Sequence, residues 1–222
     1  MPKNLKFFEE WFRRAPKIFV IGTDTGVGKT WWSRELIRTF LKARRTEKIL
    51  YLKPVETGSG LSRDTIWMKK KIGERNNRID IRHILAFKTP ASPHLAARLE
   101  KKTISFARLV RECRAGLSDY SHAVVEGAGG ILTPLSENKT MLDLAEALGL
   151  PVLLVARAGL GTINHSLLTA QALKSRNLPI FGTVLNAGLP GPKNWNIVLD
   201  NAAYLSKRLP GGFLFPGRPK KS

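Results

Sequence analysis

Short apolar runs alternate with helical patterns along most of the chain. The apolar runs, rich in β-branched residues, predict buried strands at residues 18–21, 49–52, 123–125, 152–155 and 180–185. Apolar positions at helical spacing, with capping residues before them, predict helices at about 31–45, from 63, from 93, at about 105–117, from 140, at 164–174 and at 194–207. This alternation indicates an α/β fold, with a single, mostly parallel, doubly wound sheet flanked by helices.

Two end segments lie outside this alternation. Residues 1–16 carry apolar and aromatic side chains at helical spacing, which predicts an amphipathic helix that packs on the domain or on a partner subunit. A role at a membrane surface is the alternative, although acids and bases mix there. Residues 208–222 form a basic tail rich in Pro and Gly. We therefore divide the chain into these two segments and one α/β domain at 17–207.

The first predicted strand leads into a glycine-rich turn and then a helix, which is the setting of a phosphate-binding loop (P-loop). Gly26 and Gly28 precede Lys29 and Thr30 in this turn. Backbone N–H groups of such a loop cradle phosphates, the lysine reaches the β- and γ-phosphates, and the hydroxyl binds Mg²⁺. The spacing departs from the usual one because Thr23 stands where a glycine is common. An ordinary βα turn is the alternative, but the combination favours a nucleoside triphosphate site.

Polar residues follow two other predicted strands. Lys53 and the residues up to Gly60 are expected in a loop at the carboxyl end of the second strand, where open parallel sheets bind ligands. Glu126 ends the third strand and precedes a glycine-rich turn, which is typical of a Mg²⁺-binding acid opposite a P-loop. Asp64 is either an acid at a helix start or a metal ligand, and the pattern alone favours the helix start.

Composition narrows the classes of protein. The 222 residues are 43% hydrophobic and 24% charged, as in an ordinary globular domain. The single cysteine, Cys113, excludes a disulfide framework and fits a reducing compartment. Apolar runs are too short to cross a membrane, and Glu9 and Glu10 interrupt any signal-peptide core. We expect a cytoplasmic protein that does not bind membranes.

The charge balance is strongly basic, with 37 Lys and Arg against 17 Asp and Glu and a formal net charge of +20. Such an excess attracts anions, including nucleotides and nucleic acid. The basic residues are spread along the chain without interleaved aromatics. A solvated surface is therefore favoured over dedicated nucleic-acid binding.

Five motifs in register resemble those of the dethiobiotin synthetase family. They lie at residues 22–30, 53–55, 92–94, 125–130 and 161–165, and the order and spacing agree from about 17 to 186. The family closes the ureido ring of dethiobiotin on 7,8-diaminopelargonic acid with CO₂, in biotin biosynthesis, and releases ADP and phosphate. The resemblance implies a carbamate that ATP phosphorylates in the presence of Mg²⁺ and that the second amine then attacks. It also implies a homodimer with substrate at the interface.

The resemblance further assigns roles to residues of this chain. The catalytic residues would be Lys53, Lys29 and Thr25. The nucleotide would be bound by Thr25, Gly26, Val27, Gly28, Lys29, Thr30, Glu126 and Asn186, and Mg²⁺ by Thr30, Asp64 and Glu126. The diamine and its carbamate would contact Lys53, Thr57, Gly129, Leu160, Gly161, Thr162 and Asn164, with the segment from Leu160 onwards supplied by the other subunit. The adenine pocket is not defined, because little sequence follows residue 215.

Three other classes of protein are alternatives to a dethiobiotin synthetase. A partitioning-type P-loop ATPase would suit the positive charge, but such proteins carry a signature lysine where this chain has Asp24. A related amidoligase usually needs a glutaminase with a nucleophilic cysteine, and Cys113 has no His or acid context. A catalytically dead copy of the fold conflicts with the presence of Lys29, Lys53 and both acids together.

Overall fold

A central parallel sheet organises the chain. A computed structural model describes residues 16–58, 63–72, 76–188 and 194–210. In this described part, a six-stranded sheet contains β1 (Lys17–Gly22), β2 (Ile49–Thr57), β3 (Ile79–Phe87), β4 (His122–Gly130), β7 (Val152–Arg157) and β8 (Ile180–Asn186). A small antiparallel hairpin joins β5 (Pro134–Ser136) to β6 (Lys139–Thr140).

The strand order indicates where on the sheet a ligand site can form. The order is β3-β2-β4-β1-β7-β8, and each neighbouring pair in this sheet is parallel. From β1 the chain runs to β2 and then to β3 at one edge, returns to β4 between β2 and β1, and finally crosses to β7 and β8 on the other side of β1. Crevices at such a reversal lie beyond the carboxyl ends of the strands. The predicted mostly parallel, doubly wound α/β fold is therefore confirmed.

Helices cover both faces of the sheet. The described helices are α1 (Lys29–Ala43), α2 (Arg63–Lys71), α3 (Pro93–Leu99), α4 (Phe106–Ser118), α5 (Met141–Leu148), α6 (Thr162–Ser175) and α7 (Trp195–Ser206). One apolar core joins α1 and α2 to the face that carries Ile18, Val20 and Tyr51. A second core joins the remaining helices to the face that carries Phe19 and Leu154. Side chains alternate along a strand, so one buried strand supplies both cores.

Two predicted helix starts have different local chemistry. At α5, the Asp143 carboxylate accepts a hydrogen bond from the backbone N–H of Thr140 at 2.8 Å, as part of a capping box at the predicted helix start. Ser92 occupies the N-cap position of α3 with Pro93 following it. Its hydroxyl lies 3.0 Å from Nδ1 of His94, however, rather than bonding to the helix backbone.

The prediction of a loop from Lys53 onwards was wrong. β2 continues to Thr57, and Pro54 lies inside the strand. Pairing with β4 ends at Leu52, whereas pairing with β3 continues to the end of the strand. A residue without an N–H is tolerated where a strand has a neighbour on one side only. Lys53 is consequently held by a rigid strand rather than by a loop.

The sequence pattern also missed elements. β3 was not predicted, because its exposed or half-buried polar residues mask the apolar alternation of an edge strand. The β5–β6 hairpin is too short to leave a pattern. The expected helix at 1–16 lies outside the described residues except for Pro16, as does the tail beyond residue 210. Among the described helices, none is long and apolar enough to cross a membrane.

Leu154 tests the contribution of the sheet core to stability, because it is fully buried on β7 in the second core. We expect Leu154→Ala to lower the free energy of unfolding by about 2–5 kcal/mol, since the cavity it leaves cannot close completely. The control is Leu199→Ala on α7, where the side chain is 50% exposed and the expected change is within about 0.5 kcal/mol. Urea unfolding measures both, and equal effects would contradict the assigned core.

Candidate active site

The main crevice of the described residues lies at the carboxyl ends of β1, β2 and β4. It is a cavity of about 720 Å³ between the P-loop and the start of α3. Its lining combines glycine backbone with charged side chains, namely Thr25, Gly26, Gly28, Lys29, Thr30, Lys53, Glu56, Thr57, Asp64, Glu126 and Gly129, together with apolar residues of the neighbouring loops. Its volume falls within the range of small-molecule sites.

The P-loop needs glycine for its backbone shape. Gly26 and Gly28 have φ of 72° and 98°, a region that L side chains seldom enter. Lys29 begins α1 and donates a hydrogen bond to the carbonyl of Asp24 at 3.0 Å, which folds its ammonium back over the loop. Burial, followed by repulsion from Lys53, lowers the pKa of Lys29 to about 8. A polyphosphate in the loop would raise this pKa again and favour the charged form.

Glu126 is the most enclosed charge in the cavity, with no exposed surface. Its Oε2 accepts hydrogen bonds from the hydroxyls of Ser33 at 2.8 Å and Tyr51 at 2.9 Å. Its Oε1 lies 2.8 Å from Oγ1 of Thr30 and 2.8 Å from Nζ of Lys53. One oxygen is thus anchored to α1 and the sheet, while the other faces the reactive groups of the cavity.

Lys53 lies between two carboxylates. Its Nζ is 2.8 Å from Oδ2 of Asp64 and 2.8 Å from Oε1 of Glu126, and it donates to the carbonyl of Gly127 at 3.2 Å. Burial alone would lower the pKa of Lys53, but Glu126 and then Asp64 outweigh it and hold the pKa above its usual value. Lys53 therefore stays protonated and acts as a fixed cation rather than as a base.

The oxygen atoms around Lys53 suit Mg²⁺. Oγ1 of Thr30 lies 2.9 Å from Oδ1 of Asp64, and Glu126 is on its other side. Two carboxylates and one hydroxyl are hard oxygen ligands, and Mg²⁺ in proteins commonly takes one or two carboxylates and completes its shell with phosphate oxygens and water. Within the described residues no cluster of three or more His, Cys, Asp or Glu side chains forms a metal cage. The donor set thus fits a metal that arrives with a nucleotide.

Three contributors to the cavity were missed from sequence. Ser33 lies one helical turn after Thr30, and Tyr51 lies two residues before Lys53 on the same face of β2, so helical and strand spacing carried a signal for both. Glu56 is buried, lines the cavity and accepts from the backbone N–H of Asp64 at 2.8 Å. Burial raises the pKa of Glu56 to about 6. Glu56 lies in the segment from Lys53 to Gly60 that was expected at the ligand-binding edge, but its contact with α2 forms only in the folded chain.

Cys113 lies on α4 and is buried, away from the cavity residues. Burial raises the pKa of its thiol to about 12, so the thiolate that a nucleophilic mechanism needs is absent at neutral pH. This environment is that of a packed side chain and not of a glutaminase nucleophile.

Comparison with known proteins identifies the family. A family model described as an AAA domain matches residues 16–208. The ATP-dependent dethiobiotin synthetase BioD of Anaeromyxobacter dehalogenans (strain 2CP-1) is 42% identical over 197 residues, which cover 86% of this chain and 84% of the relative. This chain belongs to the dethiobiotin synthetase family. The BioD of Lawsonia intracellularis is 37% identical, with 82% of this chain and 81% of the relative covered.

A second kind of relative carries the same unit within a longer chain. The biotin biosynthesis bifunctional protein BioCD of Bordetella avium is 40% identical over 192 residues, which cover 84% of this chain and 37% of the relative. The dethiobiotin synthetase family therefore includes members in which this unit is part of a larger protein.

Solved structures show the same fold at much lower identity. FlhF complexed with GTP/Mg(2+) has a TM-score of 0.52 and 11% identity, covering 99% of this chain and 77% of its own. The BceF tyrosine kinase domain has a TM-score of 0.51 and 15% identity, covering 82% of this chain and 74% of its own. These likenesses establish the P-loop α/β fold and nothing about substrates.

Not all residues that the family resemblance assigned lie together. Val27 and Asn186 are outside the cavity lining, and the side-chain amide of Asn186 donates to the carbonyl of Val27 at 2.8 Å, behind the P-loop. Leu160 and Thr162 lie beside a separate small recess next to Asp24, and the Leu160 side chain is 96% exposed. Gly161 and Asn164 belong to the same turn at the start of α6. This segment does not line the cavity of its own chain.

Gly28 offers a test of the P-loop geometry. An added Cβ would lie 2.0 Å from Nδ2 of Asn186, and φ is already in the left-handed region. We expect Gly28→Ala to weaken ATP binding at least about tenfold, equivalent to about 1.4 kcal/mol, because alanine is strained at this φ and its Cβ would displace the Asn186 amide from the carbonyl of Val27.

Gly116→Ala is the matched control for Gly28→Ala, since Gly116 lies in α4 and an added Cβ there meets open space. It should leave ATP affinity unchanged. Calorimetric titration with an ATP analogue measures both variants. Unaltered affinity in Gly28→Ala would show that the loop does not hold the nucleotide in the shape described.

Proposed function

We propose that this protein is an ATP-dependent dethiobiotin synthetase, which closes the ureido ring on 7,8-diaminopelargonic acid with CO₂. The observation that carries the proposal is the Lys53 ammonium on β2, 2.8 Å from each of two carboxylates and in one cavity with the P-loop. An NTPase that only hydrolyses its nucleotide has no need of a second buried cation there. A reaction that joins two anions has that need.

The proposed chemistry has three balanced steps. One amine of the diamine adds CO₂ and loses a proton to give a carbamate. A carbamate oxygen displaces ADP from the γ-phosphorus and forms a carbamic-phosphoric anhydride. The second amine then attacks the carbonyl carbon, phosphate leaves with the bridging oxygen, and a cyclic urea remains.

Each lysine has a separate electrostatic task in this scheme. Lys29 in the P-loop neutralises the polyphosphate as charge moves to ADP. Lys53 faces the carbamate, holds its oxygen toward the γ-phosphorus and offsets the repulsion between the two anions. The hydroxyls of Thr25 and Thr57 line the same cavity and would orient the anionic groups.

We also assign a Mg²⁺ site to the oxygen atoms around Lys53. Thr30, Asp64 and Glu126 would hold Mg²⁺, which when bound offsets phosphate charge and orients the β- and γ-phosphoryl groups. Ser33 and Tyr51 keep the Glu126 carboxylate in place through its other oxygen. Asp64 approaches from α2, so the ligands come from separate elements that folding must align.

The remaining contacts of the diamine would come from a second subunit. The start of α6 carries the partial positive charge of a helix N-terminus, which attracts a carboxylate. Leu160 projects almost fully into solvent beside this helix end, and the segment is not part of its own cavity. We therefore propose a homodimer in which residues 160–164 of one chain close the cavity of the other.

The function is tested by substrate dependence. Purified protein is mixed with MgATP and ¹³C-bicarbonate, with or without 7,8-diaminopelargonic acid, and phosphate and products are followed. We expect phosphate release to require the diamine and to match a cyclic urea that carries one ¹³C by mass spectrometry. ATP turnover that ignores the diamine but rises with added DNA would overturn the proposal in favour of a partitioning-type ATPase.

Lys53→Gln separates ring closure from nucleotide binding. We expect kcat to fall by about 10²–10³-fold, since the variant removes the fixed cation that faces the developing charge. ATP affinity should change much less, because Lys29 remains. Steady-state kinetics and calorimetry measure the two quantities.

The control for Lys53→Gln is Lys174→Gln, which removes an exposed lysine of α6. It should retain wild-type kcat. The melting temperature is recorded for each variant, because loss of Lys53 leaves Glu126 with one buried cation fewer. A folded Lys53→Gln protein with near wild-type kcat would remove Lys53 from the mechanism.

A further inference from the structure

The first turn of α2 is capped by a residue from another element. Oε1 of Glu56, near the end of β2, accepts hydrogen bonds from the backbone N–H groups of Asp64 at 2.8 Å and Thr65 at 3.1 Å. Its Oε2 lies 3.3 Å from the Thr65 hydroxyl. Glu56 is only 4% exposed, so little water competes for these donors. A carboxylate from eight residues earlier thus serves as the N-terminal cap of this helix.

This cap fixes a helix end by its charge and its geometry. The first N–H groups of a helix have no partner within the helix, and that end carries a partial positive charge. Two N–H groups converge on one Glu56 oxygen, which sets both the distance from β2 and the direction in which α2 leaves. Because the Glu56 segment of β2 is paired with β3, the cap ties the start of α2 to the sheet.

Asp64 depends on that attachment. Its carboxylate reaches Oγ1 of Thr30 at 2.9 Å and Nζ of Lys53 at 2.8 Å. An aspartate has only one methylene between its backbone and its carboxylate, so it cannot compensate for a shift of the helix. A displacement of about 1 Å at the start of α2 would break both contacts, and errors of this size are costly in reactive sites.

The rest of α2 has other anchors. The guanidinium of Arg34 lies 5.3 Å from the ring centroid of Trp31 on α1 and 5.2 Å from that of Trp67 on α2. Met68 is fully buried in the first core. These contacts hold the helix body against α1. They do not involve the backbone N–H of Asp64, which Glu56 binds.

We propose that Glu56 is a positioning residue that delivers Asp64 to the metal–nucleotide site. The effect that we assign to Glu56 passes through the α2 backbone. The inference rests on the proposed function only in identifying that site as the one used for ring closure. Its direct consequence is that removal of the Glu56 carboxylate weakens Mg²⁺-dependent nucleotide binding.

The test compares nucleotide binding with and without the metal. Calorimetry with a non-hydrolysable ATP analogue, in Mg²⁺ or in EDTA, gives the enhancement of affinity by Mg²⁺. We expect Glu56→Ala to reduce this enhancement by about 10-fold or more, a typical loss when a partner of a metal ligand is removed. Affinity in EDTA should stay near the wild-type value, because the P-loop is unchanged.

Two conservative variants separate the length of the Glu56 side chain from its charge. They remain informative if the alanine variant folds poorly. Glu56→Gln retains an oxygen at the same reach and should keep most of the enhancement. Glu56→Asp retains the charge but is one methylene too short for both N–H groups, so it should lose most of it. Wild-type enhancement in both Glu56→Ala and Glu56→Asp would overturn the proposal.

A double-mutant cycle with Asp64→Ala identifies the route of the effect. If Glu56 acts through Asp64, the double variant Glu56→Ala/Asp64→Ala loses no more enhancement than Asp64→Ala alone. Full additivity of the two losses would show an independent role and contradict the proposal.

Asp143→Ala is the structural control, since it removes the acidic cap of α5, a helix without cavity residues. It should lower the melting temperature without changing the enhancement by Mg²⁺. A loss of enhancement in this control equal to that of Glu56→Ala would mean that general loosening causes both. The diamine is not used in these titrations, so failure of ring closure would leave their outcome intact.

Discussion

The enclosure of the Glu126 charge is the constraint on which the site depends. A carboxylate with no exposed surface is costly unless donors replace its water. Those donors are Thr30 and Ser33 on α1 and Tyr51 and Lys53 on β2. The hydrogen bonds that satisfy this one charge therefore fix α1 and β2 relative to the middle of β4. These parts of the site therefore come together when the chain folds.

The pKa values of the two buried lysines shift in opposite directions because their surroundings differ. Lys29 has its pKa lowered to about 8, because burial and the neighbouring Lys53 are only partly offset by acids. Lys53 has its pKa raised, because Glu126 and Asp64 outweigh its burial. A polyphosphate completes the environment of Lys29, whereas Lys53 already has its counterions. Lys53 can interact with a second anion only if another cation neutralises Glu126 and Asp64. Metal bound with the nucleotide would supply that cation.

The sequence was informative where chemistry follows local order. The P-loop strand, turn and helix are contiguous, and Glu126 directly follows an obvious apolar run, so both could be predicted. The expected glycine-rich turn after Glu126 was wrong, since β4 continues to Gly130. Pro54 misled the prediction of β2, because one-sided pairing tolerates it. β3 escaped notice because an edge strand exposes polar residues such as Arg82. Ser33, Tyr51 and Glu56 act through contacts between elements, and the pattern alone favoured a helix-end role for Asp64 until folding placed it beside Thr30 and Lys53.

The central claim is that these residues direct a carbamate oxygen onto the γ-phosphorus, and oxygen tracing tests it most directly. The protein is mixed rapidly with MgATP, the diamine and ¹⁸O-labelled CO₂, before the label exchanges with water, and the released phosphate is examined by mass spectrometry. The account predicts one ¹⁸O atom in each phosphate, since the bridging oxygen of the anhydride leaves with phosphorus. Unlabelled phosphate formed alongside the cyclic urea would contradict it, because the carbamate would then not have been the phosphoryl acceptor.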